Sequence, residues 1–416
     1  MGRAGLRFRL PAGVAVSGAP GELDVVVLGG GGHVGLPLSL VLARSGARVG
    51  IFDRDAAVLA RLGNGEMPFM EAGADRLLAE VLPTGRLALG TDPAMCARAD
   101  VVIVVVGTPV DEFLGPSMSP FEDAVDEIAP HLRPGVLIIM RSTVYPGTTG
   151  YVKGRFRERG ADVQVAFCPE RIAEGHAIEE LASLPQIIGA DDDVAGDRAE
   201  AVFARFATRF VRTSTREAEL AKLFTNTWRY MKFAVANQFL MIAEEAGVDY
   251  TNVLRAVRED YPRAADLPGP GFAAGPCLFK DTMQLAAFTT DHFPLGQAAV
   301  QVNEGLPGFI VDRLRRRYGD LTGRRIGILG MAFKAESDDL RASLSYKLRK
   351  LLIWAGAEVL ATDPYVADDR LVPLEDVLDR SEILVLGAPH RAYRALDVGG
   401  RDVVDVWGAM GGGIRL

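Results

Sequence analysis

Residues 24–35 read DVVVLGGGGHVG, a short apolar run that ends in a cluster of glycines. An amphipathic segment follows at residues 36–45, and a second apolar run, ARVGIFD, ends at Asp53. This order predicts a strand, a tight turn, a helix and a second strand. Such a unit opens a parallel sheet that carries helices on its faces.

The glycines of this turn are spaced as in dinucleotide-binding proteins. Gly30, Gly32 and Gly35 form the pattern G-x-G-x-x-G. In it, the first glycine permits the turn, the second admits a pyrophosphate and the third lets the helix pack on the strand. We expect the Asp53 carboxylate to bind ribose hydroxyls and to repel a 2′-phosphate, which favours NAD over NADP, although the neighbouring Arg54 favours NADP. The turn residues expected to contact NAD are Gly30, Gly32, His33, Val34 and Gly35.

The rest of the chain alternates between strand-like and helical segments, with one long interruption. Apolar runs at residues 101–106, 136–140 and 163–167 extend the first parallel sheet. Apolar residues then recur at helical spacing from Glu217 to Gly247, which predicts a helix of roughly 30 residues, about 45 Å long. A second strand–turn–helix–strand unit starts at Arg325. We therefore expect an α/β protein with two Rossmann-like, doubly wound domains joined by a long central helix.

Charge and cysteine content argue against several classes of protein. The chain has 46 Lys and Arg against 54 Asp and Glu, a formal charge of −8, whereas a general nucleic-acid binder needs a basic face. Cys96, Cys168 and Cys277 are too few for a disulfide framework and fit no zinc spacing, so we expect no metal and a reducing cytoplasm. No apolar run has transmembrane length, and residues 1–20 read as a flexible leader.

Cys277 lies in a loop whose composition suits a reactive thiol. Residues 268–281 read PGPGFAAGPCLFKD. Glycine allows the backbone to approach a ligand closely, and nearby positive charge favours the thiolate. We interpret Cys277 as a nucleophile, and Cys96 and Cys168 as buried structural residues.

The long helix carries a second group of polar residues. Lys222 and Asn226 are four residues apart and share one helix face with Glu219. The spacing alone fits either a functional face or a solvated face with an internal Glu–Lys pair.

Seven motifs in order resemble the UDP-glucose/GDP-mannose dehydrogenase family, from Asp24 to about Gly408. They are GGGGHVGLP around Gly30, VVGTPVDE with Thr108, RSTVYPGTT with Thr143, CPERIAEG with Glu170, AELAKLFTNT with Lys222, the Cys277 loop, and LGMAFKAESDDLRAS with Lys334 and Arg341. The resemblance implies four regions: a leader (1–20), an NAD-binding domain (21–213), a central helical dimerisation domain (214–310) and a nucleotide-sugar-binding domain (311–416).

The resemblance also implies a site for two successive oxidations of a sugar C6 hydroxyl. Asp281 would act as base with a water held near Lys222 and Thr143, and Cys277 would attack the aldehyde. Lys222 and Asn226 would stabilise the oxyanion, and Glu170 would assist thioester hydrolysis. Further NAD contacts would be Thr108, Thr143, Glu174 and Lys280; substrate contacts would be Glu170, Arg171, Lys222, Asn226, Gly275, Lys334 and Arg341.

Two sequence features point to different sugars. Lys280–Asp281 resembles the glucose-oxidising branch, whereas Pro169-Glu170-Arg171 resembles branches that oxidise acetamido sugars such as UDP-N-acetylmannosamine. Because the cysteine loop lies nearer the sugar, we expect a UDP- or dTDP-glucose first, an acetamido hexose second and GDP-mannose third. A one-step hydroxyacid dehydrogenase of the 6-phosphogluconate type and a non-catalytic nucleotide-sugar sensor are the rival interpretations.

Overall fold

A computed structural model describes residues 23–108, 117–289 and 292–411. The expected leader at residues 1–20 lies outside these ranges. The chain divides into two compact units, and the division falls between Lys222 and Leu223, inside one long helix.

The first unit is built on an eight-stranded sheet. Its strands lie in the order β3-β2-β1-β4-β5-β6-β7-β8, and every described pair is parallel except β6 with β7. The strands are Leu23–Leu28 (β1), Val49–Phe52 (β2), Leu87–Gly90 (β3), Ala99–Val104 (β4), Val136–Met140 (β5), Val163–Phe167 (β6), Gln186–Gly189 (β7) and Phe210–Thr213 (β8). The order 3-2-1-4-5-6 is that of a dinucleotide-binding sheet, whose ligands bind beyond the carboxyl ends of the strands.

Helices cover both faces of this sheet. They are Gly35–Arg44 (α1), Ala56–Gly63 (α2), Ala74–Val81 (α3), Ser119–Ile128 (α4), Thr148–Glu158 (α5), Ala177–Ser183 (α6) and Asp193–Phe203 (α7). Because both faces are covered, the central strands read as continuous apolar runs: all five residues of β5 are buried. Two separate hydrophobic clusters form the core, one containing Leu40 of α1 and the other Phe156 of α5.

The predicted long helix is α8, Thr215–Glu245, with 31 residues. The second unit contains its larger part and the helices Tyr250–Arg258 (α9), Leu278–Phe288 (α10), Pro294–Tyr318 (α11), Leu344–Trp354 (α12) and Leu374–Arg380 (α13). Its parallel sheet has the order β10-β9-β11-β12. These strands are Arg325–Leu329 (β9), Glu358–Thr362 (β10), Ile383–Leu386 (β11) and Asp402–Val404 (β12).

The helices and the sheet of the second unit share one core. Leu240 of α8, Leu306 of α11 and Leu348 of α12 belong to the same buried cluster as Ile328 of β9. The predicted domain limits at 213/214 and 310/311 remain predictions; the second falls inside α11. In the described ranges, no helix has both the length and the hydropathy needed to cross a bilayer.

Candidate active site

The turn after β1 has the geometry that its glycines predict, with one correction. We assigned the tight turn to Gly30, but the left-handed residue is Gly29, with a φ of +76°. A Cβ on Gly30 would lie 2.9 Å from Cγ2 of Ile51, so that glycine is needed for close packing on β2. Four consecutive glycines look alike in the sequence, and only the folded turn distinguishes them.

The other two glycines of the pattern have the expected surroundings. A Cβ on Gly35 would lie 2.4 Å from the carbonyl oxygen of Gly29, which only glycine avoids, whereas the nearest atom to a Cβ on Gly32 would be 3.7 Å away. Val34 occupies the N-cap position of α1, and the His33 ring stacks on Phe69 with centroids 4.0 Å apart. The open backbone at Gly32, beside the N-terminus of α1, suits a pyrophosphate.

A cavity of about 480 Å³ opens at the carboxyl ends of the strands, lined by Gly32, Asp53, Val105 and Glu127 among others. The Asp53 oxygens accept hydrogen bonds from the N–H groups of Gly31 (2.9 Å) and Asp55 (3.0 Å). These bonds fix the carboxylate and leave acceptor capacity on each oxygen for ribose hydroxyls. The residues present therefore fit the adenosine half of a dinucleotide.

The charges in this cavity decide whether Arg54 could favour NADP over NAD. The Arg54 guanidinium donates to Oε2 of Glu127 from Nη2 at 2.7 Å and from Nε at 3.2 Å. This hydrogen bond raises the pKa of Arg54, and Asp123 raises it further. The arginine is thus paired with acids, and the cavity lining is net negative with Asp53, Asp123 and Glu127. Such a lining repels a 2′-phosphate and favours NAD.

The loops after β4 and β5 carry the two threonines expected to contact NAD. Thr108 and Thr143 are half-buried, and the Ser142 hydroxyl donates to the Val106 carbonyl oxygen at 2.7 Å, which ties the two loops together. Neither threonine is among the described residues that line the cavity. Their assignment to NAD remains a prediction.

Glu170 is held by a buried arginine that the sequence analysis missed. The side chains of Arg141 and Glu170 are 0% and 9% exposed. Glu170 Oε2 accepts hydrogen bonds from Nε (2.9 Å) and Nη2 of Arg141, and Oε1 accepts from the backbone N–H groups of Arg171 (2.7 Å) and Ile172 (3.1 Å). A carboxylate offers about four acceptor positions, so this one is fully engaged.

The loop that begins at Glu170 is also fixed at its other end. Glu71, buried and distant in sequence, accepts hydrogen bonds of 2.8 Å from the N–H groups of Gly175 and Ala177 and so caps α6. Glu174 is half-buried in this loop, and Arg171 donates to the Pro185 carbonyl oxygen, with burial lowering its pKa. No sequence spacing signals Glu71, because its partners lie more than 100 residues away.

The polar face of α8 is buried, which rules out the solvated alternative. Glu219, Lys222 and Asn226 are all buried. Glu219 accepts hydrogen bonds from the N–H groups of Gly147 (2.6 Å) and Thr149 (2.8 Å) and so caps the N-terminus of α5. The acid therefore binds another helix, and Lys222 and Asn226 occupy consecutive turns of α8.

In the second unit, Cys277 occupies the N-cap position of α10. It is exposed, whereas Cys96 and Cys168 are buried, and burial raises the pKa of each of those thiols to about 12. A helix N-terminus stabilises a thiolate. The expected loop therefore ends at Cys277, and Lys280 and Asp281 lie in the first turn of the helix.

Asp281 and Asn226 form a buried polar pair in this unit. Asp281 is fully buried, and its Oδ2 accepts a hydrogen bond of 2.5 Å from Nδ2 of Asn226. Its Oδ1 makes no hydrogen bond but lies 3.4 Å from the Lys280 ammonium. The backbone N–H of Asp281 donates to the Cys277 carbonyl oxygen at 2.9 Å, so one helical turn joins the carboxylate to the cysteine.

Two buried asparagines anchor the loop that precedes Cys277. Asn237 of α8 donates to the Gly271 carbonyl oxygen (3.0 Å) and accepts from the Gly271 N–H (2.8 Å). It also donates to Oδ1 of Asn303 on α11 at 2.9 Å. Gly271 lies against the Trp407 ring, where a Cβ would be 2.2 Å from the nearest ring atom. Sequence reasoning missed both asparagines, since each is a single polar residue in a helix.

The aspartate that follows β10 in the second unit differs in its hydrogen bonds from Asp53, which follows β2 in the first unit. Asp363, at the end of β10, accepts hydrogen bonds from the N–H groups of Met331 (2.6 Å) and Ala332 (2.9 Å) and from Nε2 of the buried His390 (3.0 Å). Burial raises the pKa of Asp363, but these and further hydrogen bonds outweigh it, so its pKa is lowered. The acceptor positions of this carboxylate are occupied by groups of the same chain, so it cannot bind a ribose.

Lys334 and Arg341 lie on the loop held by this aspartate. The Lys334 ammonium lies 5.5 Å from the centroid of the Phe333 ring, and the Arg341 guanidinium pairs with Asp339, with Nη2 to Oδ2 at 2.6 Å. Both side chains are at least partly accessible. The assignment of Lys334 and Arg341 to the substrate remains a prediction.

Comparison with known proteins covers nearly the whole chain. Three domain profiles of one family match in order: the NAD binding domain at residues 24–207, the central domain at 216–305 and the UDP binding domain at 327–410. The chain belongs to the UDP-glucose/GDP-mannose dehydrogenase family. The family resemblance is thereby confirmed, and so is NAD as the cofactor.

Relatives in this family act on different sugars. The chain is similar to the UDP-N-acetyl-D-mannosamine dehydrogenase of Pyrococcus horikoshii, with 31% identity over 90% of this chain and 91% of that protein. It is 29% identical to the NDP-N-acetyl-D-galactosaminuronic acid dehydrogenase of Ralstonia nicotianae, over 88% and 90% of the two chains. The structure of a UDP-glucose dehydrogenase from Pyrobaculum islandicum superposes with a TM-score of 0.88 at 29% identity, covering 97% of this chain and 96% of that one.

Proposed function

We propose that the protein oxidises the C6 hydroxyl of a nucleotide-sugar to a carboxylate, in two steps, through a covalent intermediate on Cys277. The observation that carries this proposal is the placement of an exposed cysteine at the N-terminus of α10, one turn before the buried Asp281–Asn226 pair. Family membership supplies the general reaction, and the site residues supply the chemistry.

The first oxidation needs a hydride acceptor and a base. Gly32, Asp53 and the N-terminus of α1 would hold NAD, which accepts a hydride in each oxidation when bound. Asp281 would take the hydroxyl proton through a water, because its buried carboxylate is oriented by Asn226 and has one oxygen without a hydrogen bond. That oxygen, Oδ1, lies 3.4 Å from the Lys280 ammonium.

Cys277 would then retain the aldehyde. The thiolate adds to the carbonyl carbon, an S–C bond forms, and the oxygen becomes an oxyanion that Lys222 and Asn226 would stabilise. Loss of a hydride from that carbon gives a thioester. Water attacks the thioester, the C–S bond breaks and the thiolate is regenerated with the carboxylic acid.

Glu170 is proposed to assist this hydrolysis, for which it must first release one of its present hydrogen bonds. Its carboxylate accepts four hydrogen bonds from Arg141, Arg171 and Ile172. To bind a water, Glu170 must give up one of them. The backbone bond from Ile172 is the longest, at 3.1 Å, and is the one we expect to be exchanged.

For the substrate, we propose a UDP-linked acetamido hexose. Pro169-Glu170-Arg171 favours it, and so do the Pyrococcus and Ralstonia relatives, whose names specify acetamido sugars. UDP-glucose, which the sequence analysis preferred, is the second candidate because the Pyrobaculum structure superposes over almost the entire chain. An acetamide and a hydroxyl are distinguished by the shape and hydrogen bonding of a pocket.

A panel of nucleotide-sugars tests both the reaction and the substrate. NADH formation should be measured with UDP-N-acetylmannosamine, UDP-N-acetylgalactosamine, UDP-glucose, dTDP-glucose and GDP-mannose. We expect the highest kcat/KM with an acetamido sugar and two NADH per sugar. One NADH per substrate would support a one-step dehydrogenase, and tight binding without NADH would support a sensor.

We further propose a homodimer formed through α8, as the family resemblance implies. Phe224, Trp228, Val235, Phe239 and Ile242 are 43–57% exposed in this chain. Their spacing of three, four and seven residues puts them on one stripe of the helix. A second copy of the same stripe would cover it in a two-fold interface. A cytoplasmic location is likewise a proposal, supported by three free cysteines.

A further inference from the structure

Two loops of the second unit meet next to the cysteine. The cysteine loop (residues 268–277) contacts the loop at residues 331–343, which we call the phosphate loop because it carries Lys334 and Arg341. The Gly275 N–H donates to the Ala342 carbonyl oxygen at 3.3 Å. A Cβ on Gly275 would lie 2.7 Å from Cδ2 of Phe333. The Phe333 ring therefore packs directly on the backbone two residues before Cys277.

The contact joins two residues in left-handed conformations. Gly275 has a φ of +100°, which glycine adopts freely, but Ala342 has a φ of +51°. An alanine in this region is strained, and such residues persist where their surroundings fix them, often at ligand sites. The surroundings here are specific, because the Phe333 N–H donates to the Asp339 carbonyl oxygen at 2.9 Å and the Ser343 hydroxyl donates to that of Ala332 at 3.3 Å. The phosphate loop is thus closed on itself by hydrogen bonds between its own residues.

The two cations of the phosphate loop lie next to the residues that contact Gly275. The Lys334 ammonium lies over the Phe333 ring, and the Arg341 guanidinium adjoins Ala342 in the chain and pairs with Asp339. A diphosphate that draws in Lys334 and Arg341 therefore acts on Phe333 and Ala342, the two residues that contact Gly275.

We propose that Phe333 is a positioning residue for Cys277: nucleotide binding at the phosphate loop fixes the cysteine loop through the Phe333 ring and the Ala342–Gly275 hydrogen bond. This inference rests on the proposed function, in which the second unit binds the nucleotide of the substrate. Its consequence is that the nucleotide alone, without sugar, orders the nucleophile before chemistry begins.

The test measures the reactivity of the thiol, not turnover. The full-length protein is alkylated with iodoacetamide at pH 8, with and without saturating UDP, and labelling is followed by intact mass. Cys96 and Cys168 are buried with pKa values raised to about 12, so they remain neutral thiols and labelling reports on Cys277. We expect UDP to slow labelling about fivefold, the lower end of coupling between two sites, because a fixed loop presents the sulfur in fewer orientations.

Three variants distinguish an effect of UDP transmitted through Phe333 from simple shielding of the thiol by bound UDP. In Phe333→Leu the effect of UDP should fall below about twofold while calorimetry still shows UDP binding. Ala342→Gly, which removes the strain, should reduce the effect as well. Trp407→Phe is the matched control: it changes the packing of the cysteine loop at Gly271, four residues before the Gly275–Phe333 contact, so the full effect of UDP should persist.

The outcomes are distinct. An undiminished effect in Phe333→Leu and Ala342→Gly would show that UDP merely shields the thiol and would overturn the inference. Bound UDP without any effect on the wild-type thiol would also overturn it and leave the proposed function standing. A wild-type protein that binds no UDP would contradict the proposed function itself, and the inference with it.

Discussion

Replacing Arg141 by methionine should strongly destabilise the first unit. The arginine side chain is 0% exposed and donates to Glu170, to the Cys168 carbonyl oxygen (3.0 Å) and to Gln186 (3.2 Å). Its removal leaves a buried, uncompensated carboxylate, which costs about 3–5 kcal/mol. In a unit of this size each kcal/mol lowers Tm by about 2–4 °C, so the expected fall is roughly 6–20 °C.

Circular dichroism on heating measures this change, and two variants complete the experiment. Arg133→Met removes a pair with Asp100 whose side chains are 46% and 77% exposed, and should cost about 0–1 kcal/mol. The double variant Arg141→Met/Glu170→Met replaces the buried pair by apolar groups and should recover most of the stability. A single Arg141→Met variant that melts within about 2 °C of the wild type would refute the reasoning.

Three further predictions concern the site and the assembly. Cys277→Ser should abolish acid formation but leave NAD binding intact, because a serine hydroxyl is not ionised at neutral pH; full turnover would exclude covalent catalysis at this position. Asp53→Ala should weaken NAD binding measured by calorimetry far more than nucleotide-sugar binding, and equal losses would count against its assignment to ribose. Light scattering should show at least a dimer that Phe239→Glu dissociates, whereas Trp354→Glu, at an 87% exposed residue of α12, should not; an active wild-type monomer would contradict the α8 interface.

The sequence predicted the fold because its signals are local. Apolar runs that end in glycines and at Asp53 predicted β1 and β2, and the absence of Pro and Gly before Gly247 predicted α8 within two residues at each end. Asn226 and Asp281 were assigned different roles in one site, as oxyanion stabiliser and base, and in the structure they form a buried hydrogen bond.

The supporting residues of the site could not be predicted, because their partners are far away in the chain. Arg141 pairs with a residue 29 positions later, and Glu71 with backbone groups more than 100 positions later. Glu219 caps a helix about 70 residues before it. Each of these side chains gives no periodic signal, and an isolated charge in a sequence is usually solvated.

The substrate preference illustrates a different limit. Lys280–Asp281 was given more weight than Pro169-Glu170-Arg171 because it lies near the cysteine. In the structure the Lys280 ammonium lies 3.4 Å from the Asp281 carboxylate, so the two residues of this dipeptide form an ion pair with each other. It carries little information about the substituent on the sugar ring.

The aspartates at the ends of β2 and β10 show how one architecture can serve two purposes. Grafting a glycine-rich turn onto the second sheet would not create a second cofactor site, since Asp363 would still be occupied by backbone groups and His390. A redesign would first have to free the Asp363 side chain and provide other acceptors for the backbone N–H groups and the His390 ring that now donate to it. Cofactor swaps between the two halves of such enzymes should therefore exchange whole strand–turn–helix segments, not fingerprints of a few residues.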